Sequence, residues 1–305
     1  MFINHKRFLS QQEKIHQIQL AVKDALVKAF VTLQDLGEKG KELIQVKSYA
    51  DRTLVADWTA EEAVLDSLRA RNILIRVIAE EHGVVTIGNT PQFLGVLDGL
   101  DGTNPYRNEL GRYGTMFAIY EGVDPTYDDY LACGIVDHVQ GEIYLTNKGQ
   151  GTFAQNLKTG ESRKITASEK IELKAEVKIC IDGYPFPGSP NLEYVNKLEE
   201  FKPFVGTPAN SGASAVYYMD LSSGRADLVI ECTRKKNLEI AVAYGLVKEA
   251  GGVMVDEKGK SIGSQKYFDF GQKPDEHILV ITAATIELVQ DLIAYLKKTS
   301  PSNPL

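Results

Sequence analysis

The stretch Phe93-Leu-Gly-Val-Leu-Asp98-Gly-Leu-Asp101-Gly-Thr103 decides how this chain is interpreted. Its apolar residues 93–97 predict a buried strand, and two aspartates three residues apart follow at the strand's carboxyl end. The neighbouring glycines free the backbone, so both carboxylates and a carbonyl or N–H group can converge on one point in a tight turn. Such acids repel one another unless a cation lies among them, and clusters of oxygen ligands suit Mg²⁺ or Mn²⁺.

Features on either side of this stretch fit the same site. The pair Glu80-Glu81 follows a second apolar strand, predicted over residues 73–78. Gly102 and Thr103 can open a helix whose free N–H groups hold an anion. An Asp-x-x-Asp pair alone is more often a solvated turn between strands, so the companion residues carry the argument. A cation pocket beside an anion pocket is the arrangement that metal-assisted phosphoryl transfer requires.

Composition narrows the class of protein and its partners. The chain has 305 residues, of which 43% are hydrophobic and 25% charged, as in a globular protein with a sizeable core. A net charge of −7 disfavours nucleic acid, whose phosphates are held by clustered Lys and Arg. The amino terminus turns polar at once and no run of about twenty apolar residues follows, which predicts a cytoplasmic protein with no membrane partner. Three widely spaced cysteines favour a reducing compartment.

The remaining pattern predicts layered secondary structure. Helices are expected at 11–36, from Asp57 onwards, from about 208 to 221, at 238–250 and at 285–296, and short strands separate them. The polar, turn-rich segment 149–174 predicts a seam between an N-terminal αβ half (1–155) and a C-terminal αβ half (156–305). Strands and helices alternate irregularly, which favours stacked α and β layers over a βαβ repeat.

Other chemistries lack their sequence signals. No glycine-rich nucleotide loop, zinc-protease motif or nucleophile elbow is present. The five histidines, which include His82 and His138, show no ligand-like spacing and are interpreted as structural or solvent-facing.

Five pieces of the chain, in order, resemble one superfamily. Residues 98–103 resemble the D-P-[IL]-D-G-[ST] signature of the inositol monophosphatase and fructose-1,6-bisphosphatase superfamily. The other four pieces are Lys47-Ser48 with Asp51, Asp57 and Glu61 (K-S-x-x-D…D-x-x-x-E), Ala79-Glu80-Glu81 (G-E-E), Gly212–Val216 with Gly224–Asp227 (G-[ST]-A-A…G-x-A-D), and Leu238–Ala241 with Glu249–Gly252 (W-D-x-A-A…E-A-G-G). Together they cover roughly residues 40–260.

The resemblance implies a fold, an activity and a set of site residues. It implies a five-layered α/β fold, an αβαβα sandwich of two αβ halves with the site at their junction. It also implies a homodimer that hydrolyses a small phosphorylated metabolite with two or three Mg²⁺ ions, Mn²⁺ being an alternative. Carried over by position, the implied metal ligands are Glu80, Asp98, the Leu100 carbonyl, Asp101 and Glu239. The implied water-activating residues are Asp51 and Thr103, and the implied phosphate-binding N–H groups are those of Gly102 and Thr103. The implied substrate contacts are Gly212, Ala213, Ser214 and Glu231.

The chain also departs from the family pattern. Gly99 replaces the proline after the first aspartate, which predicts a looser loop without loss of a ligand. Glu239 replaces the aspartate of W-D, one extra residue separates it from Glu231, and the basic run Arg234-Lys235-Lys236 lies between them. That run is interpreted as a solvated turn or as a contact for a second substrate phosphate.

Two functions therefore stay open from the sequence. The first is a Mg²⁺-dependent phosphatase for an inositol phosphate, a sugar phosphate or a phosphonucleotide. The alternative is a non-catalytic or altered relative that binds a phosphorylated ligand with a degraded second metal site. The sequence favours the enzyme because a decaying site usually loses its acids and this one has kept them.

Overall fold

A computed structural model describes residues 11–46, 52–174, 176–181, 211–233, 235–273 and 276–299. Within these ranges, an eight-stranded sheet forms the first half, in the order β10-β9-β8-β7-β6-β5-β3-β4. Its strands are β3 (Ile75–Ala79), β4 (Val84–Ile87), β5 (Phe93–Asp101), β6 (Gly114–Glu121), β7 (Tyr130–Asp137), β8 (Glu142–Asn147), β9 (Gly151–Asn156) and β10 (Ser162–Ile165). All neighbours pair antiparallel except β3 and β5, which are parallel. A hairpin of β1 (Leu43–Val46) and β2 (Arg52–Leu54) lies outside this sheet.

Two long helices cover one face of the large sheet. Helix α1 (Gln11–Leu36) buries residues at helical spacing, among them Ile18, Val22 and Leu26, and has the predicted bounds. Helix α2 (Val55–Ala70) packs beside it. It begins two residues before the predicted start at Asp57, which is the third helical residue, and the Asp57 carboxylate accepts the Leu54 N–H at 2.7 Å.

The second half repeats the layering around a smaller sheet. This four-stranded sheet has the order β11-β12-β14-β13, with β11 (Ile179–Ile181), β12 (Leu228–Cys232), β13 (Val253–Asp256) and β14 (Leu279–Ala283). Helices α4 (Ser214–Ser222) and α5 (Leu238–Glu249) lie between the two sheets, and α6 (Ile286–Thr299) packs on the outer side of the smaller sheet. A short helix, α3 (Thr103–Asn108), follows β5.

Three apolar cores separate these layers. One joins α1 and α2 to the large sheet, one joins that sheet to α4 and α5, and one joins the small sheet to α6. This succession confirms the predicted αβαβα sandwich. The polar segment 149–174 supplies β9 and β10 to the large sheet, so that sheet extends to Ile165. Among the helices of the described ranges, none has the length and apolar character needed to cross a bilayer.

Candidate active site

A bulge in β5 places Asp98 and Asp101 on the same side of the sheet. In a regular strand, residues three apart point to opposite faces. Here Asp98 pairs with Met116 and Asp101 pairs with Gly114, so two residues of β5 lie opposite the single residue Thr115 of β6. The extra residue shifts the alternation by one position. Asp98 and Asp101 therefore reach the same space, as the sequence predicted, but they do so through a bulge within the strand.

Gly99, in this bulge, packs tightly instead of loosening the loop. A Cβ atom at this position would lie 2.5 Å from the Asp57 carbonyl oxygen and 2.6 Å from the Glu61 Cγ atom, so a side chain here would displace α2. The expectation of a looser loop is therefore wrong, because the missing side chain lets the helix backbone approach β5. This close approach brings Asp57 and Glu61, in the first two turns of α2, onto the part of β5 that carries Asp98 and Asp101.

Asp57 faces Thr103 across that contact. The Thr103 hydroxyl donates to Asp57 Oδ1 at 2.9 Å and lies 3.3 Å from the Leu100 carbonyl oxygen. Asp57 is 3% exposed, and burial raises the pKa of its carboxyl to about 7, although the hydrogen bonds from Leu54 and Thr103 act in the opposite direction. The structure thus pairs Thr103 with Asp57, whereas the sequence pointed to Asp51, which lies outside the described residues.

Glu61 fixes the turn that carries Glu80. This turn follows β3, and its backbone N–H groups at Glu81 and His82 each donate to the buried Glu61 carboxylate at 2.9 Å. The His82 Nδ1 atom lies 2.8 Å from Glu61 Oε2, a contact that raises the pKa of His82. The Trp58 ring packs on His82 with a centroid separation of 3.8 Å and an interplanar angle of 31°. The acid of the family's D-x-x-x-E pattern therefore positions a loop, and its carboxylate is already engaged by backbone N–H groups.

Three of the predicted metal ligands form one carboxylate cluster. One oxygen each from Asp98, Asp101 and Glu239 lies within 4.8 Å of the others, and Asp98 and Glu239 are buried. Burial raises the pKa of Asp98 well above its usual range, and the charges of Glu80, Asp101 and Glu239 raise it further. Because the donors are all carboxylate oxygens, this set fits a hard divalent cation, which would relieve their mutual repulsion.

Glu239 reaches the cluster from the first turn of α5 despite its extra methylene. The two residues before this helix, Lys236 and Asn237, both have left-handed backbone conformations, with φ of 67° and 54°. Tyr267 and Gln272 donate to the Lys236 carbonyl at 2.6 and 3.1 Å, which holds this unusual conformation. The extra residue before Glu239 is thus accommodated in a turn whose conformation is held by these hydrogen bonds.

Lys236 does not extend freely into solvent. Its Nζ atom donates to the Ala79 carbonyl at 3.2 Å, immediately before Glu80. One residue of the basic run therefore bridges the loop before α5 and the end of β3, next to the metal-ligand set. Arg234 lies outside the described residues.

The C-terminal half also supports Asp101 and the anion pocket. The Ala215 N–H, in the first turn of α4, donates to Asp101 Oδ2. Gly102 has a φ of 98° and begins α3, so the N–H groups of Gly102 and Thr103 belong to that helix's start. Ala213 packs here too, since its Cβ would lie only 2.8 Å from a Cβ at Gly102. The site thus forms at the junction of the two halves.

The predicted substrate contacts differ in how deeply they are buried. Gly212 is exposed, and its N–H donates to the Tyr217 hydroxyl at 3.2 Å, whereas Ser214 is buried at the start of α4. Glu231 is 1% exposed and accepts from the Tyr218 hydroxyl at 2.7 Å. Ala213 packs against Gly102 and Gly212 lies near Pro105 of α3, while Glu231 of β12 is hydrogen-bonded to Tyr218 of α4.

Sequence reasoning did not predict the contacts that Asp57, Glu61 and Lys236 make at the candidate site. Asp57 and Glu61 carried a signal, because both stand in the K-S-x-x-D…D-x-x-x-E pattern. Two aspartates of that pattern are six residues apart, and only the packing of α2 on Gly99 distinguishes them. The Lys236 contact had no local signal, since its partner lies 157 residues away along the chain.

The raised pKa of Asp57 predicts how the metal-free protein responds to pH. Between the unfolded value near 3.8 and the folded value of about 7, the unfolded chain releases this proton while the folded chain keeps it. Stability therefore falls as pH rises through this window and is constant above it. We expect the Tm of the chelator-treated protein to be roughly 5 °C or more higher at pH 5 than at pH 8 in calorimetry. Asp57→Asn is expected to flatten the profile, and an equally steep profile in this variant would contradict the assignment.

Comparison with known proteins gives the site a family context. The model of the "Inositol monophosphatase family" matches residues 11–296. The fructose-1,6-bisphosphatase/inositol-1-monophosphatase of Methanothermobacter thermautotrophicus is 26% identical over 233 residues, which are 74% of this chain and 78% of that protein. The inositol monophosphatase of Dictyostelium discoideum is 27% identical over 232 residues, with coverage of 74% and 79%. The solved structure of the extragenic suppressor protein suhB from Bartonella henselae shares the fold, with a TM-score of 0.75, 21% identity and coverage of 93% and 99%.

Proposed function

Because the chain belongs to the inositol monophosphatase family and is at that level a phosphatase, we propose that it hydrolyses the phosphate monoester of a small metabolite in a Mg²⁺-dependent reaction. The observation that carries the proposal is the convergence of Asp98, Asp101 and Glu239 beside the Thr103–Asp57 pair. The first three residues supply charge for cations, and the other two supply a polarised hydroxyl at the same loop.

The proposed ligands are those the family resemblance assigns. Glu80, Asp98 and the Leu100 carbonyl would hold the first ion, and Asp98, Asp101 and Glu239 the second. Bound Mg²⁺ supplies Lewis-acid chemistry, since it polarises phosphate oxygens and lowers the pKa of water. Asp98 would contribute to both sites, so the bulge that directs its carboxylate would position both.

The chain's own residues orient the attacking water and the phosphate. Thr103 donates its only hydroxyl proton to Asp57, so the lone pairs of its oxygen stay available to accept a hydrogen bond from water. Asp57 holds this orientation and lies close enough to take up a proton through Thr103. The N–H groups of Gly102 and Thr103, at the start of α3, are proposed to bind the phosphate oxygens.

The length of Glu239 provides a test of the second metal site. The hydrogen-bonded turn at Lys236 and Asn237 fixes the start of α5. Glu239→Asp would therefore move the carboxylate away from the cluster by about 1.5 Å. We expect this variant to bind the second Mg²⁺ at least roughly tenfold more weakly in calorimetric titration, with the first ion little affected. Glu257→Asp, the same change at an exposed position, serves as the control. Tighter binding of the second ion by Glu239→Asp would contradict this account.

The substrate and the cellular setting are also proposals. Inositol monophosphate, fructose 1,6-bisphosphate and 3′-phosphoadenosine 5′-phosphate represent the classes that the resemblance implies. A cytoplasmic location is supported by the three cysteines, which are buried and form no disulfide bond. The homodimer stays a prediction. The non-catalytic alternative is not favoured, because Asp98, Asp101 and Glu239 form one carboxylate cluster and the charge of Glu80 acts on Asp98.

The decisive experiment is phosphate release from these three esters with and without Mg²⁺. The preparation of Asp98→Asn serves as the blank for contaminating phosphatases. Release that requires Mg²⁺ and is absent from the blank supports the proposal, and the preferred ester identifies the substrate class. A folded protein that releases phosphate from none of them would favour the ligand-binding alternative.

A further inference from the structure

We propose that Thr115 and His138 are positioning residues that hold the bulged metal loop of β5 in its ligand-binding form. The inference rests on the proposed function, because it concerns the loop whose residues Asp98 and Leu100 are the proposed ligands. Neither Thr115 nor His138 touches the carboxylate cluster. They act through one backbone carbonyl, that of Gly99.

The bulge creates the need for such support. Regular pairing of β5 with β6 is interrupted between Asp98 and Asp101, so the backbone groups within the bulge lose their regular ladder partners. A buried carbonyl without a partner is costly. The Thr115 hydroxyl donates to the Gly99 carbonyl oxygen at 2.7 Å and replaces the missing ladder bond with a side-chain bond.

The number of hydroxyl protons on Thr115 shows which residue is the donor in its contact with His138. Thr115 has one hydroxyl proton, and the bond to Gly99 uses it. The His138 Nε2 atom lies 2.8 Å from the same hydroxyl oxygen, so it must be the donor in that contact. We therefore assign His138 as the neutral Nε2–H tautomer, with Nδ1 as a bare lone pair. Consistent with this assignment, His138 Nδ1 is buried without a hydrogen-bond partner, and burial lowers the pKa of the imidazole to about 3.

Packing and one polar contact together orient the imidazole. His138 is 7% exposed, and the rings of Phe30 and Tyr113 stack nearly parallel to it at centroid distances of 5.7 and 5.6 Å. Its backbone N–H donates to the Tyr113 carbonyl at 3.2 Å. The stacking restricts the plane of the ring, and the 2.8 Å contact of Nε2 with the Thr115 hydroxyl selects which edge of the ring faces Thr115. The imidazole therefore orients the Thr115 hydroxyl, and the hydroxyl orients the Gly99 peptide.

Gly99 is the residue at which this support matters most. A glycine adopts many backbone conformations, and here it replaces the conformationally fixed proline of the D-P-[IL]-D-G-[ST] signature. On one side it is confined by α2, whose Asp57 carbonyl oxygen lies where a side chain would go. On the other side its carbonyl is held by Thr115. Together these contacts restrict the backbone conformation of Gly99, which lies between the proposed ligands Asp98 and the Leu100 carbonyl.

The test compares two buried threonines of the same sheet. Thr115→Val removes the hydroxyl and keeps the shape, and Thr115→Ser restores the hydroxyl. The matched control is Thr146→Val on β8, because Thr146 is also buried and donates to a backbone carbonyl, that of Gly151, at 3.0 Å. His138→Phe keeps a flat stacked ring and removes the Nε2–H donor.

Two measurements separate positioning from general stability. In calorimetric Mg²⁺ titration, Thr115→Val is expected to weaken the first site roughly 10- to 100-fold, His138→Phe to act in the same direction, and Thr115→Ser to bind like the wild type. Thr146→Val is expected to lower Tm to a similar extent and to leave Mg²⁺ affinity within about threefold. In the metal-free protein, amide hydrogen exchange across residues 98–103 is expected to be at least about tenfold faster in Thr115→Val than in Thr146→Val.

The outcomes distinguish the two proposals. Equal Mg²⁺ affinity and equal exchange in the Thr115 and Thr146 variants would overturn the positioning role while leaving the metal site intact. A wild-type protein that binds no Mg²⁺ would overturn the proposed function, and the exchange measurement would still decide whether Thr115 and His138 hold the loop.

Discussion

Replacing Asp98 with asparagine is expected to lower Mg²⁺-dependent phosphate release by at least about a thousandfold, since a loss of several kcal/mol of metal-derived stabilisation corresponds to that factor. Asp98 is the proposed ligand shared by both ions, and it is 2% exposed, so no other side chain can move easily into its place. The amide keeps the shape and one oxygen but removes the charge. Both metal sites should therefore weaken together in calorimetric titration.

The same substitution should stabilise the metal-free protein. Burial and the charges of Glu80, Asp101 and Glu239 raise the pKa of Asp98, which means that its ionised form is unfavourable without a cation. Removing this charge relieves the repulsion, so we expect a higher Tm for Asp98→Asn than for the wild type in chelator at pH 8. Asp66→Asn, an exposed position on α2, controls for the loss of a negative charge. Retained activity, or a lower Tm without metal, would contradict the role of Asp98.

The second large effect is expected at Asp57. Asp57→Asn keeps a partner for the Thr103 hydroxyl but cannot accept a proton, so kcat should fall roughly 10²- to 10⁴-fold. The residue does not belong to the carboxylate cluster, so Mg²⁺ affinity should change only a few-fold. The combination of a large loss in kcat with retained metal binding distinguishes a water-activating residue from a ligand.

Asp51→Asn is the informative companion variant. The sequence pointed to Asp51 for this role, and the hydrogen bond of 2.9 Å between Thr103 and Asp57 supports the other aspartate. We expect the loss in kcat to be at least about tenfold greater for Asp57→Asn than for Asp51→Asn. The reverse order would restore the original assignment. Thr103→Val should reproduce the Asp57→Asn defect, and Thr103→Ser should recover most of the activity.

The layers and the acids were predictable from the sequence because their signals are local. Helix α1 follows directly from apolar spacing, and Asp98 and Asp101 stand out as charges at the end of an apolar strand. The resemblance to the family then supplied the order of the ligands. Local patterns therefore predicted the layered elements and the aspartate pair, whereas the αβαβα sandwich and the full set of site residues came from the family resemblance.

What the sequence did not predict depends on contacts between distant segments. The effect of Gly99 was misjudged because its restriction comes from α2, more than one element away. The choice between Asp51 and Asp57 has the same cause. His138 was interpreted as structural because a lone histidine carries no pattern, and its contact with Thr115 exists only where β6 and the end of β7 meet. Glycine identity and histidine spacing do not encode such contacts.

The hydrogen bond from Ala215 to Asp101 has a consequence for the order of events in folding. These two residues lie 114 positions apart, and the bond closes a long loop between the two halves of the chain. Long-range closures of this kind are entropically unfavourable until most of the surrounding structure exists, so they tend to form late. During synthesis, the residues of β5 are made long before those of α4 and before Glu239. Under the proposed function, full cation binding is therefore expected only once both segments are in place, and a bound ion would stabilise the folded chain.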